Sequence, residues 1–218
     1  MDKKKLIFDM DGTLLNTMDM WDNFIDGYNS FDGNKVDTSY IPNIAKSSSL
    51  SWSVELMKDY LKESITDEEI AIKVHSFLID FYSSKNHAKK YVKETVNKLY
   101  ENGYEMYVAT ATDLLYATAG LKSAGILNCF KKIYAPDSLG IKKHDPAYYD
   151  QISFEIEVKP QDAIFFDDAS YAIDLAKKHG YNTVGVKDGS LESYMATKEI
   201  SDYFVNDFSN LIEIIEKI

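Results

Sequence analysis

The sequence predicts an α/β fold in which a parallel β-sheet is covered by helices. Helical and strand patterns alternate regularly from Ala88 to the end of the chain. A short apolar run, Leu6 to Phe8, stops at Asp9 and meets a turn at Gly12, as expected for a buried strand that ends in a functional loop. Alternation of helices and strands is typical of a parallel sheet, and chemistry at the carboxyl end of a strand is typical of the same fold class.

Helices alone are predicted between Asn16 and about Lys85. The first two are indicated by apolar and aromatic residues at helical spacing, and the third by a capping box from Thr66 to Glu69 that precedes an apolar run. We interpret the aromatic stripes of the first two helices as core. These stripes are Met18, Trp21, Phe24, Ile25 and Tyr28, and Trp52, Leu56, Met57 and Tyr60.

The alternating region predicts five further strands and the helices between them. The Asn102-Gly103 pair and Gly125 are helix stop signals, and each is followed by strand-like sequence. The predicted strands are Met106 to Thr110, a weak one near Ile133, Ala163 to Phe166, Thr183 to Val186, and Tyr203 to Val205. The predicted helices are Tyr91 to Glu101, Leu114 to Ala124, Pro146 to Glu155, Tyr171 to Gly180, Leu191 to Ala196, and Leu211 to Lys217.

Composition limits the partners of the protein. The 218 residues are enough for one substantial domain, or for a main domain with a smaller one. A formal net charge of -11 argues against nucleic-acid binding, and all 24 basic residues are lysine, so no guanidinium group can grip a phosphate. The single cysteine, Cys129, excludes an intrachain disulfide. No segment is long and apolar enough for a signal peptide or a membrane helix, so we expect a cytoplasmic protein, with the choice of monomer or homodimer open.

Asp9 and Asp11 form the first chemical motif, Asp9-Met10-Asp11-Gly12-Thr13. Two carboxylates separated by one residue can hold a hard cation while one of them attacks phosphorus. The wider string LIFDMDGTLLNT resembles the first motif of the haloacid dehalogenase superfamily, in the branch of capped phosphatases that includes phosphoglycolate phosphatases and β-phosphoglucomutases. The resemblance implies a Rossmann-like three-layer core with an inserted helical cap domain of the C1 type.

Three later motifs are expected from the resemblance, and the sequence contains each. Thr110 ends the second predicted strand and stands where the family has a hydroxyl that donates to the phosphoryl group. Alignment of Pro146 and Tyr149 with the family pattern selects Lys143 as the family lysine, with Lys142 as a rival because His144 replaces the usual proline. The acidic pair Asp167-Asp168 closes the strand Ile164 to Phe166.

The resemblance also implies the chemistry. Asp9 would be the nucleophile, and Asp11 would protonate the leaving alkoxide and then deprotonate the attacking water. Thr110 and Lys143 would contact the phosphoryl group, with Thr112 as an additional contact. The implied cofactor is Mg²⁺, which four neighbouring carboxylates would also require. Its ligands would be Asp9, Asp168 and the backbone carbonyl of Asp11, with Asp167 close by or bound through water. Relatives often have an Asp or Asn four residues after Asp168, where this chain has Ala172.

The resemblance divides the chain into a core domain, 1–17 and 87–218, and a cap domain, 18–86. Substrate contacts in the cap would come from lysines such as Lys46 and Lys58, from hydroxyls such as Ser47 to Ser49, or from backbone amides. The leading expectation is a phosphatase acting on a small phosphorylated metabolite, a sugar phosphate or a molecule like phosphoglycolate. A mutase of the β-phosphoglucomutase type is the alternative, suggested by the cap position and by Ala172. A catalytically silent binding or regulatory protein is the third.

Overall fold

A single parallel sheet of six strands forms the centre of the protein. The structure is a computed structural model that describes residues 3–39, 42, 48–61 and 65–218. The strands are β1 (Lys5–Phe8), β2 (Met106–Ala109), β3 (Lys132–Tyr134), β4 (Ala163–Asp167), β5 (Asn182–Val186) and β6 (Tyr203–Val205). Their order is β3-β2-β1-β4-β5-β6, and every neighbouring pair is parallel.

Helices cover both faces of this sheet. Along β1, Leu6 and Phe8 belong to one buried apolar cluster, while Ile7, which points to the opposite face, belongs to another. The described helices are α1 (Met18–Asp22), α2 (Phe24–Ser30), α3 (Ser49–Leu61), α4 (Asp67–Ser84), α5 (Val92–Glu101), α6 (Leu114–Ser123), α7 (Pro136–Leu139), α8 (Pro146–Glu155), α9 (Ser170–Lys178), α10 (Leu191–Ile200) and α11 (Leu211–Ile215). The predicted three-layer α/β class is therefore confirmed.

The strand order places a crevice above β1. The chain runs from β1 outward through β2 to β3 on one side, and then crosses to β4 and continues outward on the other. In open α/β sheets, ligands bind outside the carboxyl ends of the strands at such a reversal of strand order. The residues that follow β1, β2 and β4 meet at this edge.

Helices α1 to α4 lie between β1 and the rest of the core sequence. The predicted capping box begins α4, because Glu69 N donates to Thr66 Oγ1 over 3.2 Å and Thr66 N donates to Glu69 Oε2 over 2.9 Å. Helix α3 packs against α4, and α4 packs against α6. The division into a core domain and a cap domain stays a prediction.

The stripe predicted on α3 is core only in part, because Met57 is fully buried but the two aromatic residues are exposed. The buried apolar residues of this helix are Leu50, Val54 and Met57, whereas Trp52 is 50% exposed and Tyr60 is 48% exposed. Trp52 is two residues, or about 200°, from both Leu50 and Val54 around a helix with about 3.6 residues per turn. Helical spacing gave the correct period and the buried Met57, but it wrongly assigned Trp52 and Tyr60 to the buried face.

Among the described residues, no helix has both the length and the apolar character that crossing a membrane requires.

Candidate active site

The predicted site residues meet at the carboxyl edge of the sheet. Asp9 directly follows β1, Thr110 directly follows β2, and Asp167 is the last residue of β4. Asp168 comes next in the chain, and Lys143 lies in the loop between α7 and α8. Parallel strands bring these distant positions together because their carboxyl ends share one edge.

Lys143 is buried between two carboxylates. Its Nζ lies 2.5 Å from Asp9 Oδ1 and 2.7 Å from Asp167 Oδ2, and its side chain is 2% exposed. Burial alone would lower the pKa of this ammonium group, but the charges of Asp167 and Asp9 outweigh it and hold the pKa well above the usual value. Lys142 is exposed and lines the cleft beside the site. The structure thus brings Lys143, and not Lys142, to Asp9.

Three carboxylates could hold a metal ion. Asp9, Asp167 and Asp168 each offer an oxygen atom, and these oxygens lie within 4.8 Å of one another. Asp9 Oδ2 is buried and accepts no hydrogen bond from the described part of the chain. Burial, together with the charges of Asp9 and Asp167, raises the pKa of Asp168 well above its usual range. An all-oxygen donor set with excess negative charge suits a hard divalent cation.

Asp168 is held by the loop that follows β1. Thr13 Oγ1 donates to Asp168 Oδ1 over 3.0 Å. Gly12 has φ +86°, and a Cβ atom on it would lie 2.4 Å from Asp168 Oδ2. Glycine is therefore needed at this position for both its backbone conformation and its lack of a side chain.

Asp11 stands apart from the group of three carboxylates and is bound by hydroxyl groups. Its Oδ1 accepts hydrogen bonds from Thr17 Oγ1 at 2.6 Å and from Tyr82 OH at 2.7 Å. Its Oδ2 accepts from Thr112 Oγ1 at 2.7 Å. Burial, and then the charge of Asp9, raise the pKa of Asp11, although the three hydroxyl donors lower it. A carboxyl group whose pKa is raised in this way suits acid–base chemistry.

The two threonines after β2 have different surroundings. Thr110 is buried, and its Oγ1 accepts a hydrogen bond from Thr112 N over 3.0 Å. The Thr112 hydroxyl donates to Asp11, so in this arrangement its proton is directed at Asp11. The roles of both residues as phosphate contacts stay predictions.

A cleft of about 350 Å³ opens in front of these residues. The helical segment contributes Met18, Trp21, Ser48, Ser49 and Trp52 to its wall. Lys58 does not line the cleft, because its Nζ pairs with Asp67 Oδ1 at 2.7 Å on the outer surface. Lys46 and Ser47, two other candidate substrate contacts, lie outside the described residues.

Asp113 was missed as part of the site region. Its Oδ1 and Oδ2 accept hydrogen bonds from Ser49 N at 2.9 Å and Leu50 N at 3.0 Å, and Ser49 Oγ accepts one from Asp113 N at 3.1 Å. Asp113 directly precedes α6, but its side chain makes no capping hydrogen bond to that helix. Its carboxylate caps α3 instead, so the first amides of α3 are already occupied.

Lys89 was also missed, since nothing distinguishes it from the other lysines in the sequence. Its Nζ donates to Gly12 O at 2.6 Å and Lys187 O at 2.7 Å, and pairs with Asp188 Oδ1 at 2.9 Å. Asp188 in turn contributes to the raised pKa of Asp168. Lys89 therefore joins the loop after β1 to the loop after β5.

The protein has a parallel α/β fold with a group of carboxylates at the carboxyl edge of its sheet, and comparison with protein families identifies its family. The model of the family described as haloacid dehalogenase-like hydrolase matches residues 6–186. The chain therefore belongs to the haloacid dehalogenase-like hydrolase family. The predicted resemblance is confirmed, and so is the prediction of an enzyme from the phosphatase class of this family.

Similar proteins span nearly the whole chain. A phosphoglycolate phosphatase of Vibrio parahaemolyticus is 24% identical over 98% of this chain and 96% of its own. The pyrophosphatase PpaX of Anoxybacillus flavithermus is 26% identical over 96% and 95%. The crystal structure of a β-phosphoglucomutase from Clostridium difficile has a TM-score of 0.70 at 19% identity, covering 99% and 96% of the two chains. This last likeness shows a shared fold.

Proposed function

We propose that the protein is a magnesium-dependent phosphatase that hydrolyses a small phosphorylated metabolite through an aspartyl phosphate on Asp9. The observation that carries this proposal is the environment of the Asp9 carboxylate. Lys143 holds one of its oxygens at 2.5 Å, while the other is buried beside Asp167 and Asp168 without a hydrogen-bond donor among the described residues. The Lys143 ammonium group thus fixes one oxygen of Asp9, and the other oxygen remains available to bind the metal ion or to attack phosphorus.

The first half of the reaction forms the covalent intermediate. An Asp9 oxygen attacks phosphorus, the bond to the leaving oxygen breaks, and Asp11 gives its proton to that oxygen. Lys143 compensates the charge on Asp9 and contacts the phosphoryl oxygens together with the Thr110 hydroxyl, with Thr112 as a further contact. In the second half Asp11 takes a proton from water, the water oxygen attacks phosphorus, and Asp9 is regenerated as inorganic phosphate leaves.

The cation completes the charge balance. Asp9, Asp168 and the backbone carbonyl of Asp11 would hold Mg²⁺, with Asp167 close by or bound through water. When bound there, Mg²⁺ neutralises charge on the carboxylates and the phosphoryl oxygens. Asp167 also anchors Lys143 at 2.7 Å, a role that is independent of the cation.

We infer that residues 18–86 serve as a cap over a core made of 1–17 and 87–218. In support, the described residues of that segment form helices only, and Trp21, Ser48 and Trp52 face the strand ends across the cleft. A cleft of about 350 Å³ suits a small molecule. The names of the two relatives, phosphoglycolate phosphatase and pyrophosphatase, also favour a small phosphorylated substrate.

The test is a phosphate-release assay on phosphoglycolate, pyrophosphate and a panel of sugar phosphates, with Mg²⁺ and after EDTA treatment. Parallel measurement of sugar-phosphate isomers separates hydrolysis from the predicted mutase alternative. Asp9→Asn should abolish both turnover and the phosphorylated protein, whereas Asp174→Asn, at an exposed ion pair with Lys178, should change neither. Retained turnover in Asp9→Asn would refute the proposal.

A further inference from the structure

We propose that Tyr82 is a positioning residue for the acid–base step, because it directs the transferable proton of Asp11 to Oδ2. The inference rests on the proposed role of Asp11 as general acid and base. Tyr82 belongs to α4, far in sequence from the strand-end motifs, and its side chain is completely buried. It reaches the catalytic acid from the helical segment of the chain.

The direction of the Tyr82 hydrogen bonds follows from its partners. Trp21 Nε1 lies 3.0 Å from Tyr82 OH, and an indole N–H can only donate. The phenol oxygen therefore accepts from Trp21. Its single proton is then free to be donated to Asp11 Oδ1, which lies 2.7 Å away. Trp21 from α1 and Tyr82 from α4 thus form a directed chain that ends on the carboxyl group of Asp11.

The two oxygens of Asp11 are occupied unequally. Each carboxylate oxygen has about two acceptor sites. Oδ1 uses both, since Thr17 Oγ1 donates to it at 2.6 Å in addition to Tyr82. Oδ2 accepts one hydrogen bond from the described chain, that of Thr112 at 2.7 Å. A proton on Asp11 can therefore sit on Oδ2 without displacing a donor, but not on Oδ1.

This asymmetry matters for a group that must deliver a proton to one place. Asp11 lines the cleft, so the oxygen that carries the proton determines whether the leaving oxygen can receive it. Without the Tyr82 hydroxyl, Oδ1 gains an open site and the proton divides between two positions. The rate of leaving-group departure then falls most for a strongly basic leaving group, which needs the proton. It falls least for a leaving group that is stable as an anion.

The experiment compares kcat/KM of wild type and Tyr82→Phe on three phosphate monoesters of increasing leaving-group basicity: p-nitrophenyl, phenyl and benzyl phosphate. The quantity kcat/KM includes departure of the leaving group but not the later attack of water. We expect a loss of about tenfold on benzyl phosphate and below about twofold on p-nitrophenyl phosphate, with phenyl phosphate between them. The matched control is Tyr60→Phe, which removes an exposed hydroxyl bonded to Asn29 and should leave all three values unchanged.

Each outcome has one meaning. A uniform loss on all three esters, or no loss, overturns the role of Tyr82 while the proposed function stands. If wild type hydrolyses none of the three esters with Mg²⁺ present, this inference fails, and the metabolite panel decides whether the proposed function fails with it. Trp21→Phe keeps the Tyr82 hydroxyl but removes the donor that orients it, so it should show a smaller loss graded in the same way. If circular dichroism shows that Tyr82→Phe is unfolded, the result with Trp21→Phe decides the test. A loss of kcat/KM in Trp21→Phe that does not increase with leaving-group basicity then overturns the role of Tyr82.

Discussion

Lys143 Nζ lies 2.5 Å from Asp9 Oδ1, so the loop after the first strand contacts a lysine 134 residues later in the chain. The same ammonium group lies 2.7 Å from Asp167 Oδ2 at the end of β4. One ammonium group therefore pairs with carboxylates from two neighbouring strands. Removal of one partner from a buried ionic cluster is costly, because the remaining charge has neither water nor a counterion.

Lys143→Met should consequently damage both activity and stability. We expect kcat/KM on p-nitrophenyl phosphate to fall by about 100-fold or more, since the cation beside the reacting oxygens is lost. The free energy of unfolding in EDTA should fall by about 3 to 5 kcal/mol, because two buried carboxylates lose their partner. Kinetics and urea unfolding measure the two effects.

Lys142→Met is the comparison that decides between the two neighbouring lysines. Lys142 is exposed, and its substitution leaves the Asp9 and Asp167 pairs intact. It should therefore keep a far larger share of the activity and nearly all of the stability. A greater loss in Lys142→Met than in Lys143→Met would reverse the assignment.

Gly12→Ala should separate backbone strain from disruption of the site. A Cβ on Gly12 would lie 2.4 Å from Asp168 Oδ2, whereas one on Gly103, which also has a positive φ of +75°, would meet nothing within 4 Å. Both substitutions should cost about 1 kcal/mol of unfolding free energy from strain. Only Gly12→Ala should also lower kcat/KM and raise the Mg²⁺ concentration needed for half-maximal activity. Equal kinetics in the two variants would contradict the close approach of Gly12 to Asp168.

The strand-end residues could be predicted because their geometry follows from chain order. Parallel strands in an α/β sheet place every carboxyl end at one edge, so Asp9, Thr110 and Asp167 must meet there once the strands are recognised. The helical segment gave no such constraint. Helical spacing predicted α3 but left the buried face open, and Trp52 was placed in the core although it faces the cleft.

Tyr82 and Lys89 could not be found from the sequence for a related reason. Each makes a contact between segments that are far apart in the sequence. Tyr82 OH and Asp11 are separated by 71 residues, and Lys89 Nζ and Gly12 O by 77. No local pattern records a contact of this kind. Asp113 shows a different limit, since it directly precedes α6 in the sequence but its carboxylate caps α3, which lies far earlier in the chain.

Mg²⁺ should stabilise the folded protein by relieving repulsion among Asp9, Asp167 and Asp168. A ligand present at about 100 times its dissociation constant adds about 2.7 kcal/mol to the free energy of unfolding. For a chain of this size, a gain of that order corresponds to a rise in Tm of about 5 °C or more. Differential scanning calorimetry in EDTA and in excess MgCl₂ measures the shift.

Asp168→Asn should abolish most of this shift, since it removes one charged oxygen donor from the group. The same substitution should raise Tm in EDTA, because one source of repulsion is gone. The control is Asp174→Asn. Asp174 belongs to α9 (Ser170–Lys178) and forms an exposed ion pair with Lys178, so this variant should respond to Mg²⁺ like wild type. A full Mg²⁺ response in Asp168→Asn would show that the cation binds elsewhere.

Asp113→Asn should loosen the docking of α3 onto the core. The carboxylate accepts one hydrogen bond on each oxygen, from Ser49 N and Leu50 N, and an amide side chain can accept only one of the two. We expect the free energy of unfolding to fall by about 1 to 2 kcal/mol, because a backbone N–H loses its charged acceptor.

Hydrogen exchange measured by mass spectrometry should quicken in the peptides that span 48–61 and stay unchanged in α6. Asp137→Asn is the matched control, since Asp137 Oδ1 accepts a single hydrogen bond from Leu114 N that asparagine can also accept. If exchange in 48–61 is the same in wild type and Asp113→Asn, Asp113 does not hold α3 in place.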